Sequence, residues 1–413
     1  MTQNGPVMTE NGPAMTQNGT VPTRRCAACG ATVPATAFCG ECGAGHGVPS
    51  TVWTRLLRPA VYATAHRERV WTPRVSSTLF PRLTGPSRAP FRVDVALILG
   101  AIAALSALRA IVPLGVVSTI GLPLLFLIYV WQSDVVRDVG VGILSVAMIL
   151  GVGSGVGWWV IASALLADTY DVTRGSGLAL TRVVDTGLML SMVGGLLMLL
   201  PALVCRFLPM PERESLDGFV IGAFGALCYS TAASVTVVTP QLVEGLMQNF
   251  STSRLLQDAV TYGVVTPVVT MIAGGLFGLL LFFSPDRRDG HDGKAGSIVL
   301  IVCAIAAVAL YALVWIIDGS ALSHAADTAA KLAVSALAVL TARIAVQSAL
   351  LHEAPAPQSG DPVLCVHCEK VVPDMAFCSS CGVAALASSR SSRRLRRESP
   401  PVPALSGADR PST

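Results

Sequence analysis

Charge is scarce in this chain. Only 13% of its 413 residues are Asp, Glu, Lys or Arg, against about 25% in an average soluble domain. A soluble fold of this length needs a charged surface to stay dispersed. The shortage excludes that class unless lipid covers most of the molecule. Lysine is scarcer still, occurring at Lys294, Lys331 and Lys370 alone. Positive charge is therefore almost all arginine, a bias that points to a GC-rich bacterial source. Glutamate is nearly missing from the centre: between Val95 and Leu350 it occurs at Glu212, Glu214 and Glu244, each between apolar runs. No apolar run of helical length precedes Val95. The first spans are thus expected to insert as true membrane helices after a long polar lead, not as a cleaved signal peptide.

What is present is apolar. Hydrophobic residues make up 52% of the chain, and the mean hydropathy is +0.62. Eight apolar runs are expected at about 95–111, 113–131, 139–165, 186–208, 218–239, 259–283, 297–317 and 328–350. Each approaches the roughly 20 residues that cross a hydrocarbon core. The first two meet in a tight turn near Arg109 and Pro113. The last contains Lys331 and Arg343, both near its ends, where long side chains can snorkel to water. The fold class is an all-α polytopic membrane bundle with a small module at each terminus.

An even number of spans puts both ends on one side. With the ends in the cytoplasm, inside loops carry Arg137, Arg206, Arg213, Arg287, Arg288 and Lys294, against Arg109, Arg174, Arg182, Arg254 and Lys331 outside. That near tie is broken by the arginines flanking the first and last spans, which place both termini inside a bacterial plasma membrane.

Outside residues 95–350 the chain divides by composition. Residues 1–22 repeat Met-Thr-Gln/Glu-Asn-Gly with period seven, but Asn-Gly and Gly-Pro break helices and no apolar stripe appears, so a disordered tail is expected. Residues 46–94 interleave arginines with Trp53, Tyr62, Trp71, Phe80 and Phe91. They read equally as a membrane-surface segment drawn to anionic lipid or as a solvated linker. The tail over 386–413 is rich in Ser, Arg and Pro and is expected to be disordered, with Arg390, Arg393, Arg394, Arg396 and Arg397 attracted to anionic lipid.

Eight of the 11 cysteines fall in two clusters. Residues 23–45 hold Cys26-Ala-Ala-Cys29, nine residues from Gly30 to Phe38, then Cys39-Gly-Glu-Cys42-Gly. Residues 351–385 hold Cys365-Val-His-Cys368, nine residues from Glu369 to Phe377, then Cys378-Ser-Ser-Cys381-Gly. Val33-Pro34 matches Val372-Pro373, and Ala37-Phe38-Cys39 matches Ala376-Phe377-Cys378, so one module is used twice. Two cysteines two residues apart point into a tight turn whose amides face the sulfurs, and a following glycine supplies positive φ. Two such knuckles surround one tetrahedral Zn²⁺. A module of about 20 residues buries too little to fold unaided, so the metal must supply the folding energy. Disulfides, a redox dithiol and a rubredoxin-type iron site are the alternatives; a reducing cytosol argues against the first, and a lone Cys-x-x-Cys on a thioredoxin-like fold is the usual form of the second. Cys205, Cys228 and Cys303 stand alone in apolar runs and read as packing residues. The clusters resemble short bacterial zinc ribbons of the double zinc ribbon type. That resemblance implies two structural Zn²⁺ sites, closed to water, and a docking surface for a cytosolic protein. Nucleic acid is not an expected partner, because Arg24, Arg25 and Lys370 make no basic patch.

Glu214-Ser-Leu-Asp217-Gly218-Phe-Val-Ile-Gly222-Ala-Phe-Gly225 resembles a helix start in PrsW-type intramembrane proteases. That family uses a Glu-Glu pair in the preceding helix, a Glu-Asn later in this one, and histidines beyond. Here the preceding run has no glutamate, and the Glu-Asn position falls on Ala233-Ser234. His291 and His324 lie between runs. The resemblance implies a related scaffold without hydrolysis, which needs a buried base or metal. The pairs Gly151/Gly155, Gly153/Gly157, Gly218/Gly222 and Gly274/Gly278 instead suit close helix packing. The expected function is a non-enzymatic membrane scaffold or sensor. The alternatives are a transporter or channel subunit, with Pro123, Pro201 and Pro267 as kinks and Ser230, Thr231 and Ser234 as lining, and an inactive protease relative.

Overall fold

Long helices built almost wholly of apolar residues have no polar face to turn to water, and such helices end up buried or in lipid. The computed structural model describes residues 22–46, 57–72, 74–83, 85–173, 180–210, 212–243, 247, 250–286, 290–318, 320, 322–355 and 358–399. A hairpin of β1 (Thr23–Arg25) and β2 (Thr32–Pro34) comes first, with Arg24 opposite Val33. A short helix α1 (Val75–Leu79) precedes α2 (Gly85–Ala107) and α3 (Ile111–Gln132). Next come α4 (Val135–Val139), α5 (Val141–Thr173), α6 (Leu180–Cys205), α7 (Ser215–Val243) and α8 (Thr252–Val260). A π turn (Thr261–Val265) leads into α9 (Thr266–Phe282), followed by α10 (Gly290–Asp318) and α11 (His324–His352). The second hairpin, β3 (Pro362–Leu364) with β4 (Val371–Pro373), sets Val363 opposite Val372. The helix α12 (Arg390–Glu398) comes last.

Seven of these helices are long and apolar enough to cross a bilayer: α2, α3, α5, α7, the continuous α8–α9 rod, α10 and α11. The remaining expected run, 186–208, falls on α6, whose 26 residues rise roughly 39 Å. Its described side chains form a shorter apolar stretch, Met192–Cys205. The two four-cysteine modules are hydrogen-bonded to each other and so lie on the same side of the bundle.

The bundle is organised about α7 and the α8–α9 rod, whose apolar windows are each 72% buried, against 17% for α2 and 22% for α5. Outer helices show the apolar surface that lipid must cover, including Leu97, Ile149, Val160, Leu196, Ile298 and Ile305. Pro267 lacks the N–H that would bond Gly263. The ladder widens there instead, with Thr266 N–H donating to Thr261 O, five residues back.

Glycines set the closest approaches. A Cβ on Gly218 or Gly222 would collide with the backbone carbonyls of Gly278 and Gly274, and one on Gly151 with that of Gly225. Gly155 would meet Tyr229 O at 2.5 Å. Gly153 and Gly157 have open space around them. Of the two staggered pairs on α5, therefore, only Gly151/Gly155 packs. Gly222→Val should destabilise the bundle by about 1–3 kcal/mol, read as a lower melting temperature in detergent. Gly153→Ala should leave it unchanged or slightly higher.

Two expectations are corrected. Residues 57–72 and 74–83 are not a loose linker: they fold into a plug against the bundle, leaving one edge exposed at Trp71, Arg74 and Val75. Tyr62, Ala63, Ala65, Val70, Leu79, Phe80 and Leu83 join the same core as α3, α7 and α11. Arg343 does not snorkel. It is fully buried, donates to Glu68 Oε2 (3.0 Å), Ser77 Oγ (3.0 Å), Thr78 Oγ1 (3.0 Å) and Arg69 O (2.9 Å), and stacks 3.7 Å over the Tyr62 ring. One turn on, Gln347 accepts from Ala63 N (2.7 Å) and donates to Leu57 O and Val61 O (3.0 Å each). A buried guanidinium in an apolar helix is tolerable only with such partners. Lys331 does pair with Asp327 (2.8 Å), and also with Asp318. The N-terminal repeat over 1–21, Trp53 with Arg55, and the tail beyond Ser399 lie outside the described residues.

Candidate functional site

Each Cys-x-x-Cys pair forms the same knuckle. Cys26 N donates to Ala31 O and Gly30 N to Cys26 O; Cys39 N donates to Ala44 O and Gly43 N to Cys39 O. The second module repeats this with Cys365, Lys370 and Glu369, and with Cys378, Val383 and Gly382. The residue after the second cysteine has positive φ in every knuckle: Gly30 (75°), Gly43 (71°), Gly382 (74°) and, without glycine's freedom, Glu369 (57°). Amides of Glu41 and Cys42 bond the Cys39 sulfur, and that of Lys370 bonds Cys368. The Cys42 thiol pulls Cys39 down to about 4, while burial pushes Cys29 up to about 11.

The sulfurs of Cys26, Cys29, Cys39 and Cys42 all lie within 4.8 Å of one another, as do those of Cys365, Cys368, Cys378 and Cys381. Cys26–Cys42 is 3.8 Å, Cys29–Cys39 3.7 Å, Cys365–Cys381 3.9 Å and Cys368–Cys378 3.8 Å. Four sulfurs at roughly 2.3 Å from a tetrahedral ion stand about 3.8 Å apart. A disulfide would need about 2.05 Å. The two clusters therefore fit a metal ion each, with His367 outside the donor set.

The modules pair reciprocally. Phe38 N donates to Ser379 O (3.0 Å), and the equivalent Phe377 N donates to Gly40 O (2.8 Å). The Phe38 ring lies against Gly382 and the Phe377 ring against Gly43, the matching glycine; a Cβ there would come within 3.0 Å and 2.6 Å of the rings. This is a two-fold interface inside one chain. Arg24 and Arg25 are spent on the first module itself, bonding Thr36 O and Gly30 O.

The second module is fixed to the bundle and the first is not. Val363, Cys365, Val372, Phe377 and Val383 belong to the bundle core. Cys26, Val33, Cys39 and Cys42 form a separate cluster, reached through Met375 of the second module. Ala384 N donates to Ala63 O of the plug (2.8 Å).

The polar socket beneath was not foreseen from the sequence. Arg82, at the end of the plug, is fully buried and lies 2.7 Å from Asp217 Oδ1, 3.1 Å from Glu214 Oε2 and 3.8 Å from Asp138 Oδ2. Burial opposes its charge, but Asp217 and then Glu214 outweigh it, so its pKa is raised. The C-terminal arginine run completes the socket. This corrects the expectation of disorder over 386–399. Ser389 caps α12 by accepting from Ser392 N (3.2 Å). Arg390 reaches Asp217 Oδ2 (2.7 Å), Arg393 pairs with Glu214, and the Arg390 and Ser391 amides donate to Asp138 (2.6 and 3.0 Å). Arg397 holds Asp374 of the second module (2.7 Å). These arginines are engaged by protein, not offered to lipid. The spacing 390, 393, 397 puts them on one helical face, a signal the sequence did carry.

Glu353, just past α11, accepts from Ser215 N (2.7 Å) and Ser215 Oγ at the start of α7. Burial, reinforced by Glu214 and Asp217 and opposed by the Ser215 bonds, pushes it up to about 8.

Fold and site together define a multi-span helical membrane protein bearing two paired four-cysteine modules that could each bind a metal ion. No family model, curated protein or solved structure matches the chain.

Asp217→Asn strips the buried Arg82 and Arg390 of their common partner and should cost about 3–5 kcal/mol. Asp134→Asn, at an exposed pair with Arg137, should cost under about 1 kcal/mol. Denaturation in detergent compares them. Because the folded pKa of Glu353 lies above its ordinary 4.5, its contribution to stability is full below 4.5 and is lost as pH rises toward about 8. Glu353→Gln should remove that decline, so the variant should gain on the wild type as pH goes from 4.5 to 8 in parallel melts.

Proposed function

We propose that this protein is a non-enzymatic membrane scaffold or sensor whose two Zn²⁺-loaded modules form one rigid head, presented to soluble partners in the cytoplasm. The observation that carries this reading is the attachment of the head. Two modules lock to each other by matched bonds, and the second is bolted to the bundle through Ala63 and α12. Modules joined only by linkers would report nothing about the bilayer; here the second module shares a core with the bundle and the first is locked to the second.

Zinc is the ion of choice because four thiolates at tetrahedral spacing suit it and leave no position for water or substrate. The likeness to PrsW-type proteases does not favour catalysis. Asp217 and Glu214, the acids of that motif, are committed to Arg82, Arg390 and Arg393, so neither carboxylate is turned toward a substrate.

The test is the full chain with Cys39→Ser and Cys378→Ser, in detergent. Metal analysis should show the wild type's zinc lost and membrane insertion kept. Hydrogen exchange over residues 57–83 and 390–398 should speed about tenfold or more, or roughly 1.4 kcal/mol of local opening. Zinc loss with unchanged exchange in both segments would refute a head coupled to the bundle.

A further inference from the structure

Among the arginines of the juxtamembrane segment and the C-terminal run, those at 82, 390 and 393 are consumed by buried carboxylates. Two others are not, and they share a crevice. Arg74 and Arg92, with Val75, Ser76, Phe80 and Val95, line an open cavity of about 400 Å³ between α1 and the start of α2. We propose that this crevice is a binding site for the phosphate headgroup of an anionic phospholipid.

Depth comes first. The uninterrupted apolar run of α2 begins at Val95, just past Arg92 and Asp94, so Arg92 and Val95 lie where hydrocarbon gives way to headgroups. Around them Trp71, Val75, Val93 and Leu97 are exposed at 54–65%. An exposed indole beside apolar residues is the usual furniture of that interface.

Charge comes second. Glu68 is the nearest acid to Arg74, but its Oε2 is held by Arg343 (3.0 Å) and Ser77 (2.6 Å). Arg74 is left with an ion contact of 3.7 Å, beyond hydrogen-bond reach, and its side chain is 57% exposed. Arg92 is exposed and makes no ion pair among the described residues. No carboxylate lines the cavity. Two guanidiniums with unspent donors on one concavity match a phosphodiester, which accepts forked bonds. The apolar walls of Val75, Phe80 and Val95 suit the glycerol backbone and first methylenes. They run into the lipid-facing side of α2 at Val93 and Leu97, which gives the acyl chains an exit. Free phosphate would use the arginines but leave those walls wet.

The experiment is native mass spectrometry of the full chain exchanged into nanodiscs of phosphatidylglycerol and phosphatidylcholine, then released. The wild type should retain phosphatidylglycerol in preference to phosphatidylcholine. Arg74→Gln with Arg92→Gln should lower that retention about tenfold to thirtyfold, since each arginine near a headgroup is worth about a factor of five. Arg137→Gln, an exposed arginine elsewhere, should retain lipid as the wild type does. The double variant should also keep the wild-type melting temperature, because Arg92 pairs with no described carboxylate, and Glu68 keeps its bonds to Arg343 and Ser77 when the 3.7 Å contact of exposed Arg74 is lost. Equal retention of both lipids, no retention by the wild type, or retention unchanged in the double variant would overturn the assignment. So would displacement of phosphatidylglycerol by millimolar inorganic phosphate, which would make the site one for the free ion.

Discussion

The structure rests on a buried arginine. Arg82 has no exposure to water and is met by Asp217, Glu214 and Asp138. One guanidinium among three carboxylates would leave excess negative charge in a dry place, which costs several kcal/mol per ion. Arg390 and Arg393 remove the excess, so three cations face three anions. The stretch before the first span, the α4 turn, the start of α7 and the helix after the second cysteine module are all party to this balance. None can leave without stranding the others, and this holds the end of the plug and α12 on one face of the bundle.

The metal clusters and the helices were legible in the sequence because their signals are local. Four cysteines at fixed spacing name a site within 17 residues, and a run of roughly 20 apolar residues names a span. The plug was not legible, because its meaning depends on pairs far apart. Arg343 and Glu68 are separated by 275 positions, and Arg82 and Asp217 lie across five helices. Interleaved aromatics and arginines look the same whether the acids that claim them are present or not. The strongest clue was scarcity: in a chain so short of carboxylates, Glu68, Asp138, Glu214 and Asp217 were few enough to ask what each neutralises.

Helix contacts were half legible for a related reason. Small residues spaced by four show that a helix can approach a neighbour, not which of two offset stripes does so. On α5 the two stripes differ by two residues, or about 200° around the axis, so they face nearly opposite ways. Packing against α7 takes Gly151 and Gly155 and turns Gly153 and Gly157 outward. On α7 and α9 no choice existed, since each carries one stripe and the two meet carbonyl to glycine.

Attachment of the head is directional. The bundle holds the plug through Arg343 and Gln347; the plug holds the second module through Ala63; the second module holds the first through Phe38, Phe377 and Met375. Among the described residues, a change in the first module acts on the second through the Phe38, Phe377 and Met375 contacts. A change in the second meets the plug, α12 and the socket at once. Two modules alike in cysteine spacing and in their knuckle bonds are thus unequal in consequence. The inequality comes from α12, which follows only the second of them and spends its arginines on the bundle.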